Sequence, residues 1–200
     1  MKWWNKNQEI PLSDEVFQSI INNLLFNCPT CIRKAENVKA SGTSKKTKIR
    51  YKPVSARESS FKKHGITGNA LLTVLAQIRR PLARMNTYKV LKSSESVAEN
   101  VERIIQSTSL SDSMFEMMVY HTRSDMPDAE AIYYYIRNAF AHGSFEVCDW
   151  NNDRFYFLES NKGGTIKAQM RLREKTLLGY AKLAQMSLGE IRLLQRNTRK

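Results

Sequence analysis

The sequence predicts a mainly α-helical protein, a helical bundle closed by a small C-terminal three-stranded antiparallel meander and a final helix. Two observations carry this expectation. Up to Gly143 the regularly recurring apolar residues fall at helical spacing, apart from one basic stretch that has no long apolar period. After Gly143 the period changes to two, in short segments parted by turn signals.

Ser13, followed by Asp14 and Glu15, is a good helix start, and Val16, Ile20, Ile21, Leu24 and Leu25 recur at helical spacing as far as Asn27. From Pro29 to Gly65 the segment "ASGTSKKTKIRYKPVS" reads as a loop with one short strand. Thr67 is placed to cap a helix through "NALLTVLAQIRR". Pro81 ends that helix or starts another, because proline fits only the first helical turn. Ser96 with Glu99 forms a capping box for "VAENVERIIQS". A further helix is expected from Asp112 to Arg123, with Met114, Phe115, Met118 and Val119 as its apolar stripe. Pro127, with Asp128 and Glu130 in the first turn, opens the next one.

The segments "SFEV", "RFYFLE" and "TIKAQMRL" alternate apolar with polar residues and are separated by "DWNND" and "NKGG", hence the meander. A helix from Glu174 to Met186 would pack through Leu177, Leu178, Ala181 and Ala184. Ser187 and Glu190 form a second capping box and start the last helix. Residues 1–66 are accordingly read as an N-terminal helix plus a basic, loop-rich extension, and residues 67–200 as the main helical domain.

Thirty-two Lys and Arg against nineteen Asp and Glu leave a formal charge of +13. Arg33 to Lys63 holds eleven basic residues and two acids, and Lys162 to Lys200 holds ten and two, whereas the span between them is slightly acidic. Basic flanks of this kind suit a polyanion, most often nucleic acid, because each neutralised phosphate releases counterions. No stretch has the roughly 18 consecutive apolar residues of a membrane span. The N-terminus lacks the apolar core of a secretory signal, and three cysteines set up no disulfide framework. A cytoplasmic protein without a membrane segment is the expectation.

One helix carries chemistry. In "YYYIRNAFAHGSF", Ile132, Ile136, Ala139 and Phe140 share one side at about 100° per residue. Tyr134, Arg137, Asn138, Ala141 and His142 take the opposite arc, where Asn138 and His142 are neighbours four apart. Singly, each polar residue has an ordinary explanation: a helix-end histidine, a solvated arginine, a local cap. The tyrosines Tyr133 to Tyr135 spread around the helix, so they form no common stacking platform, and Tyr134 alone shares the polar arc.

Together the residues spell R-N-x-x-x-H-G near a helix end. This resembles the HEPN superfamily, whose signature is an arginine, often followed directly by Asn, Asp or His, and a histidine a few residues later. Here Arg137, Asn138 and His142 match it, with four residues between arginine and histidine. The following "GSFEV", "RFYFLE" and "KTLLGYAKLA" are similar to the tail of bacterial HEPN domains that append a small sheet, and the likeness runs from Asp112 to Met186. It implies a metal-independent RNA endonuclease in which two copies of the motif face each other across a two-fold axis, with no cofactor. His142 would give or take a proton, Arg137 would stabilise phosphate charge and Asn138 would orient them. Lys45, Lys46, Lys48, Arg50 and Tyr134 would contact the RNA. Members of this superfamily resemble toxins and antiviral effectors, so an antitoxin or a defence-complex subunit would be a further partner. The alternatives are a non-catalytic HEPN module that binds nucleic acid or a partner, and a subunit of a larger defence complex.

"CPTC", Cys28 to Cys31, is read as structural. It follows a helix, unlike a thioredoxin-type pair, and a zinc site needs about four ligands, where only Cys148, His64 and His121 remain at irregular distances. His121 is read as a packed histidine and His64 as a surface one.

Overall fold

The structure is a computed structural model that describes residues 13–30, 34–38, 48–52, 60–82, 86–108 and 114–197, with backbone only over 34–38 and 48–52. It overturns the predicted fold class. The centre is not a mainly α bundle with a meander at its end but a five-stranded mixed sheet with helices on it. The strands β3 (Tyr88–Leu91), β4 (Met117–His121), β5 (Phe145–Trp150), β6 (Asp153–Lys162) and β7 (Thr165–Arg173) lie in the order β3-β4-β7-β6-β5. β3 and β4 run parallel, and every other neighbouring pair is antiparallel. The three alternating segments are thus one side of a larger sheet.

The decisive error falls on Asp112 to Arg123. Within it Met117–His121 is a strand whose five residues are all buried. Met118 and Tyr120 face one layer of the core, Met117 and Val119 the other. A strand covered on both faces reads as a continuous apolar run, because neither set of side chains has to be polar. Strand β3, a single turn of sequence after Pro81, pairs with it through Tyr88↔Met118 and Leu91↔His121.

On the larger face lie α1 (Glu15–Ile21), which continues as a π-helical turn over Asn22–Phe26, α2 (Ser60–Lys63), α3 (Asn69–Arg79), α5 (Asp128–Ala141), α6 (Glu174–Gln185) and α7 (Leu188–Asn197). The opposite face is covered by α4 (Val97–Ser107), through Val97, Val101 and Ile104. There Arg171 is buried with no ion pair to an acid among the described residues. Its Nε donates to the Phe115 carbonyl at 2.7 Å, its guanidinium lies 4.3 Å from the Phe115 ring centroid, and burial lowers its pKa to about 10.

Local signals placed several helix ends. Ser96 Oγ accepts the Glu99 N–H at 3.3 Å. Ser187 and Glu190 close a reciprocal box, Ser187 N–H to Glu190 Oε2 at 2.8 Å and Glu190 N–H to Ser187 Oγ at 3.3 Å. Asp14, one residue after Ser13, caps α1 by accepting from Val16 and Phe17 at 2.8 and 3.1 Å. At α3 the cap position is Gly68 rather than Thr67, with φ of +51° and no side-chain bond. Leu178 of α6 is exposed, and Tyr180 is buried in its stead.

The N-terminal part shares the same core. Phe17 stacks on Phe145 and Tyr156, Phe61 meets Tyr133 edge-on, and Arg154 of β6 pairs with Asp14. The basic stretch expected to hold one short strand holds two, β1 (Lys34–Val38) and β2 (Lys48–Lys52), paired antiparallel from Lys34↔Lys52 to Val38↔Lys48. No helix of the described residues is long and apolar enough to cross a membrane.

Candidate functional site

Helix α5 begins at Pro127, whose extended ψ of 154° feeds the chain into the first turn, with Asp128 and Glu130 near the positive end of the helix dipole. It packs on β6 and beside α3. Ile132, Ile136, Ala139 and Phe140 are buried, and each isoleucine contributes on the order of 1.5–3 kcal/mol by leaving water. Tyr134, Arg137 and Asn138 are half-buried, while Ala141 and His142 are exposed. The polar groups lie outside the core, on one open arc.

His142 is the C-cap, one residue beyond the last helical one, and Gly143 turns the chain with φ of +64°. The Gly143 N–H donates to the Phe140 carbonyl at 3.2 Å and the Ser144 N–H to the Ala139 carbonyl at 2.8 Å, which together make a Schellman cap. The Ser144 carbonyl then accepts the Glu159 N–H at 2.9 Å, fixing the turn to β6. His142 therefore sits on a backbone held from both sides although its ring is in solvent.

Arg137 Nη1 donates to Asn138 Oδ1 at 3.4 Å, a long contact, and its buried Nε has no hydrogen-bond partner among the described residues. It forms no ion pair with a described acid. An arginine five residues from a helix-end histidine, paired with no described acid, is equipped to take an anionic oxygen.

The structure adds two residues that the sequence reading missed. Arg123, in the loop after β4, lies over the Tyr134 ring with its guanidinium carbon 4.2 Å from the centroid. Asp125 grips it from the side, Arg123 Nε to Oδ1 at 2.9 Å and Nη2 to Oδ2 at 2.6 Å. The Arg123 guanidinium holds the Asp125 carboxyl below its ordinary value, and the Lys162 charge acts in the same direction. The signal was the "TRSD" that follows an apolar run. Read as a strand, that run ends in a loop, the usual place for a functional side chain.

Of the other candidates, Lys48 and Arg50 lie in β2, opposite Val38 and Glu36 in the register, and Lys45 and Lys46 lie outside the described residues. His121 is buried, with Nε2 2.7 Å from the Glu95 carbonyl, and His64 is exposed. Cys28 is buried with Sγ 3.2 Å from Thr30 Oγ1 and 3.6 Å from the Tyr133 carbonyl, and Cys31 lies outside the described residues. No family model matches the chain, and neither a curated protein nor a solved structure matches it significantly.

Proposed function

We propose that this chain is a metal-independent RNA endonuclease that acts as a homodimer in the cytoplasm, as a toxin or antiviral effector of HEPN type. The observation that carries the reading is the joint placement of Arg137, Asn138 and His142 on the open arc of α5, with the Arg137 charge unmatched by any described acid.

The chemistry asks for little more than these groups. The 2′-hydroxyl of one nucleotide loses its proton, its oxygen forms a bond to the adjacent phosphorus, and the bond from phosphorus to the 5′-oxygen breaks as that oxygen gains a proton. An imidazole with an ordinary pKa of about 6.5 moves protons near neutral pH. The Arg137 guanidinium offers fixed donors to the phosphate oxygens as negative charge builds on them. Asn138, bonded to Arg137, orients it. A single chain supplies one histidine for two proton transfers, so a second copy facing the first across the exposed end of α5 would supply the other. The basic flanks, among them Lys45, Lys46, Lys48 and Arg50, give affinity for the phosphate backbone.

The test is incubation of the purified chain with mixed RNA in EDTA beside His142→Ala. Cleavage by the parent and not by the variant is the expected result. RNA binding without cleavage by either would replace this reading with the non-catalytic HEPN module.

A further inference from the structure

The open arc of α5 is not uniform, and the two arginines near it differ in how they are paired. Tyr134, Asn138 and His142 follow one another at four-residue steps, a row about 12 Å long at 1.5 Å per residue. Between Tyr134 and His142 stands Arg137, which pairs with no described acid. At the Tyr134 end stands Arg123, whose charge is already matched by the two-oxygen grip of Asp125. A cation free of a counter-charge suits phosphate. A neutralised guanidinium behind an aromatic ring suits a flat, uncharged group.

Tyr134 is built as a rigid plate. One face is covered by Arg123 at 4.2 Å, and Tyr135 meets it at an interplanar angle of 71° with centroids 5.6 Å apart. The ring nevertheless is only half-buried. A side chain already fixed on two sides loses little conformational freedom when something stacks on what remains open. Unpaired bases stack on such rings, whatever their identity, since every base has a π-face.

From this we infer that Tyr134, backed by Arg123, which Asp125 holds in place, seats an unpaired nucleobase of the substrate. The base belongs to a nucleotide neighbouring the one cleaved at His142, since the row separates the two by about 12 Å. The inference rests on the ribonuclease reading and narrows its substrate to RNA that is single-stranded around the cut, because a base inside a duplex cannot leave its stack without cost. Arg123 and Asp125 act as positioning residues, through the ring they hold.

The experiment uses the full chain and short single-stranded RNAs carrying one 2′-deoxyribose at the cleaved position, so that nothing is cut, and 2-aminopurine at each flanking position in turn. Stacking on Tyr134 should quench the fluorophore at one flanking position in the parent and in Tyr134→Phe. Tyr134→Ala should lose the quenching and bind roughly 5- to 150-fold more weakly. Arg123→Ala should weaken both effects in part, and it decides by the same criterion if Tyr134→Ala does not fold. Unchanged quenching in a folded Tyr134→Ala that still binds RNA overturns the base seat and leaves the ribonuclease reading standing. A folded parent that binds none of these RNAs overturns both.

Discussion

Tyr133, in the helix that carries Arg137 and His142, donates its hydroxyl to the main-chain carbonyl of Tyr180 at 2.7 Å. The Tyr180 hydroxyl donates in turn to the Ile78 carbonyl, also at 2.7 Å. Two buried phenols thus link α5 to α6 and α6 to α3, and burial raises the pKa of both, so they remain protonated donors. The arc that bears the candidate site is polar and open, and the opposite side of the same helix is fixed by these bonds.

Removing the Tyr133 hydroxyl should loosen this tie without touching the site. Tyr133→Phe keeps the ring and leaves a buried acceptor short of one donor, so stability should fall by about 0.5–1.5 kcal/mol. Chemical denaturation measures this. RNA cleavage well below the melting temperature should be unchanged, and a loss of activity larger than the loss of folded protein would place Tyr133 in the chemistry instead.

His142→Ala should show the reverse. The ring is exposed, so stability should move by no more than about 0.5 kcal/mol, while cleavage should drop at least ~10²-fold. Arg137→Ala should lose activity as well. Arg137→Lys should recover only part of it, because lysine lacks the planar fork.

The route through the 2′-hydroxyl fixes the products. Cleaved RNA should carry a 2′,3′-cyclic phosphate, visible by mass spectrometry, and a strand with 2′-deoxyribose at the cut position should bind and stay whole. Cutting of that strand would require a different nucleophile and would withdraw the roles of Arg137, Asn138 and His142.

Affinity and chemistry should separate. Replacing Lys45, Lys46, Lys48 and Arg50 together by neutral residues should weaken RNA binding and flatten its salt dependence by roughly one unit of log–log slope per lost phosphate contact. His142→Ala should keep the parent slope in the same titration.

The Ser187–Glu190 box should show in acid. The Ser187 backbone N–H and hydroxyl hold the Glu190 carboxyl below its ordinary 4.5, so the charged form is the stabilising one. Its contribution is present above 4.5 and is lost as pH falls through the lower value of the folded state. Glu190→Gln should erase that portion of the acid dependence, read from melting temperatures between neutral pH and the acid limb.

What the sequence made legible was local. Ser96, Pro127 and Ser187 announce helix starts because a cap needs only the next few residues, and Arg137, Asn138 and His142 share an arc because one helix sets their spacing. Strand β4 was hidden because burial on both faces removes alternation, and a short apolar run reads equally as helix. The fold class went with it, since β4 joins β3 to the remaining strands. Arg123 was hidden for the same reason: its place over Tyr134 depends on β4 being a strand that ends before "TRSD", and with the run read as helix that loop was not seen.

The strand order also sets a timetable for synthesis. β4 finds its antiparallel neighbour only in β7, some fifty residues later, and α5 lies in the chain before β6, the strand it packs on. A nascent chain that has emerged only as far as Gly143 carries the whole Arg137–His142 segment but only β3 and β4 of the sheet. The apolar side of α5 then lacks β6, the strand it packs on, and pairing between such distant segments is slow to form. The motif can therefore be fully held only after the ribosome has delivered β6 and β7, so a translating chain passes through a window in which every proposed catalytic side chain is present and its scaffold is incomplete.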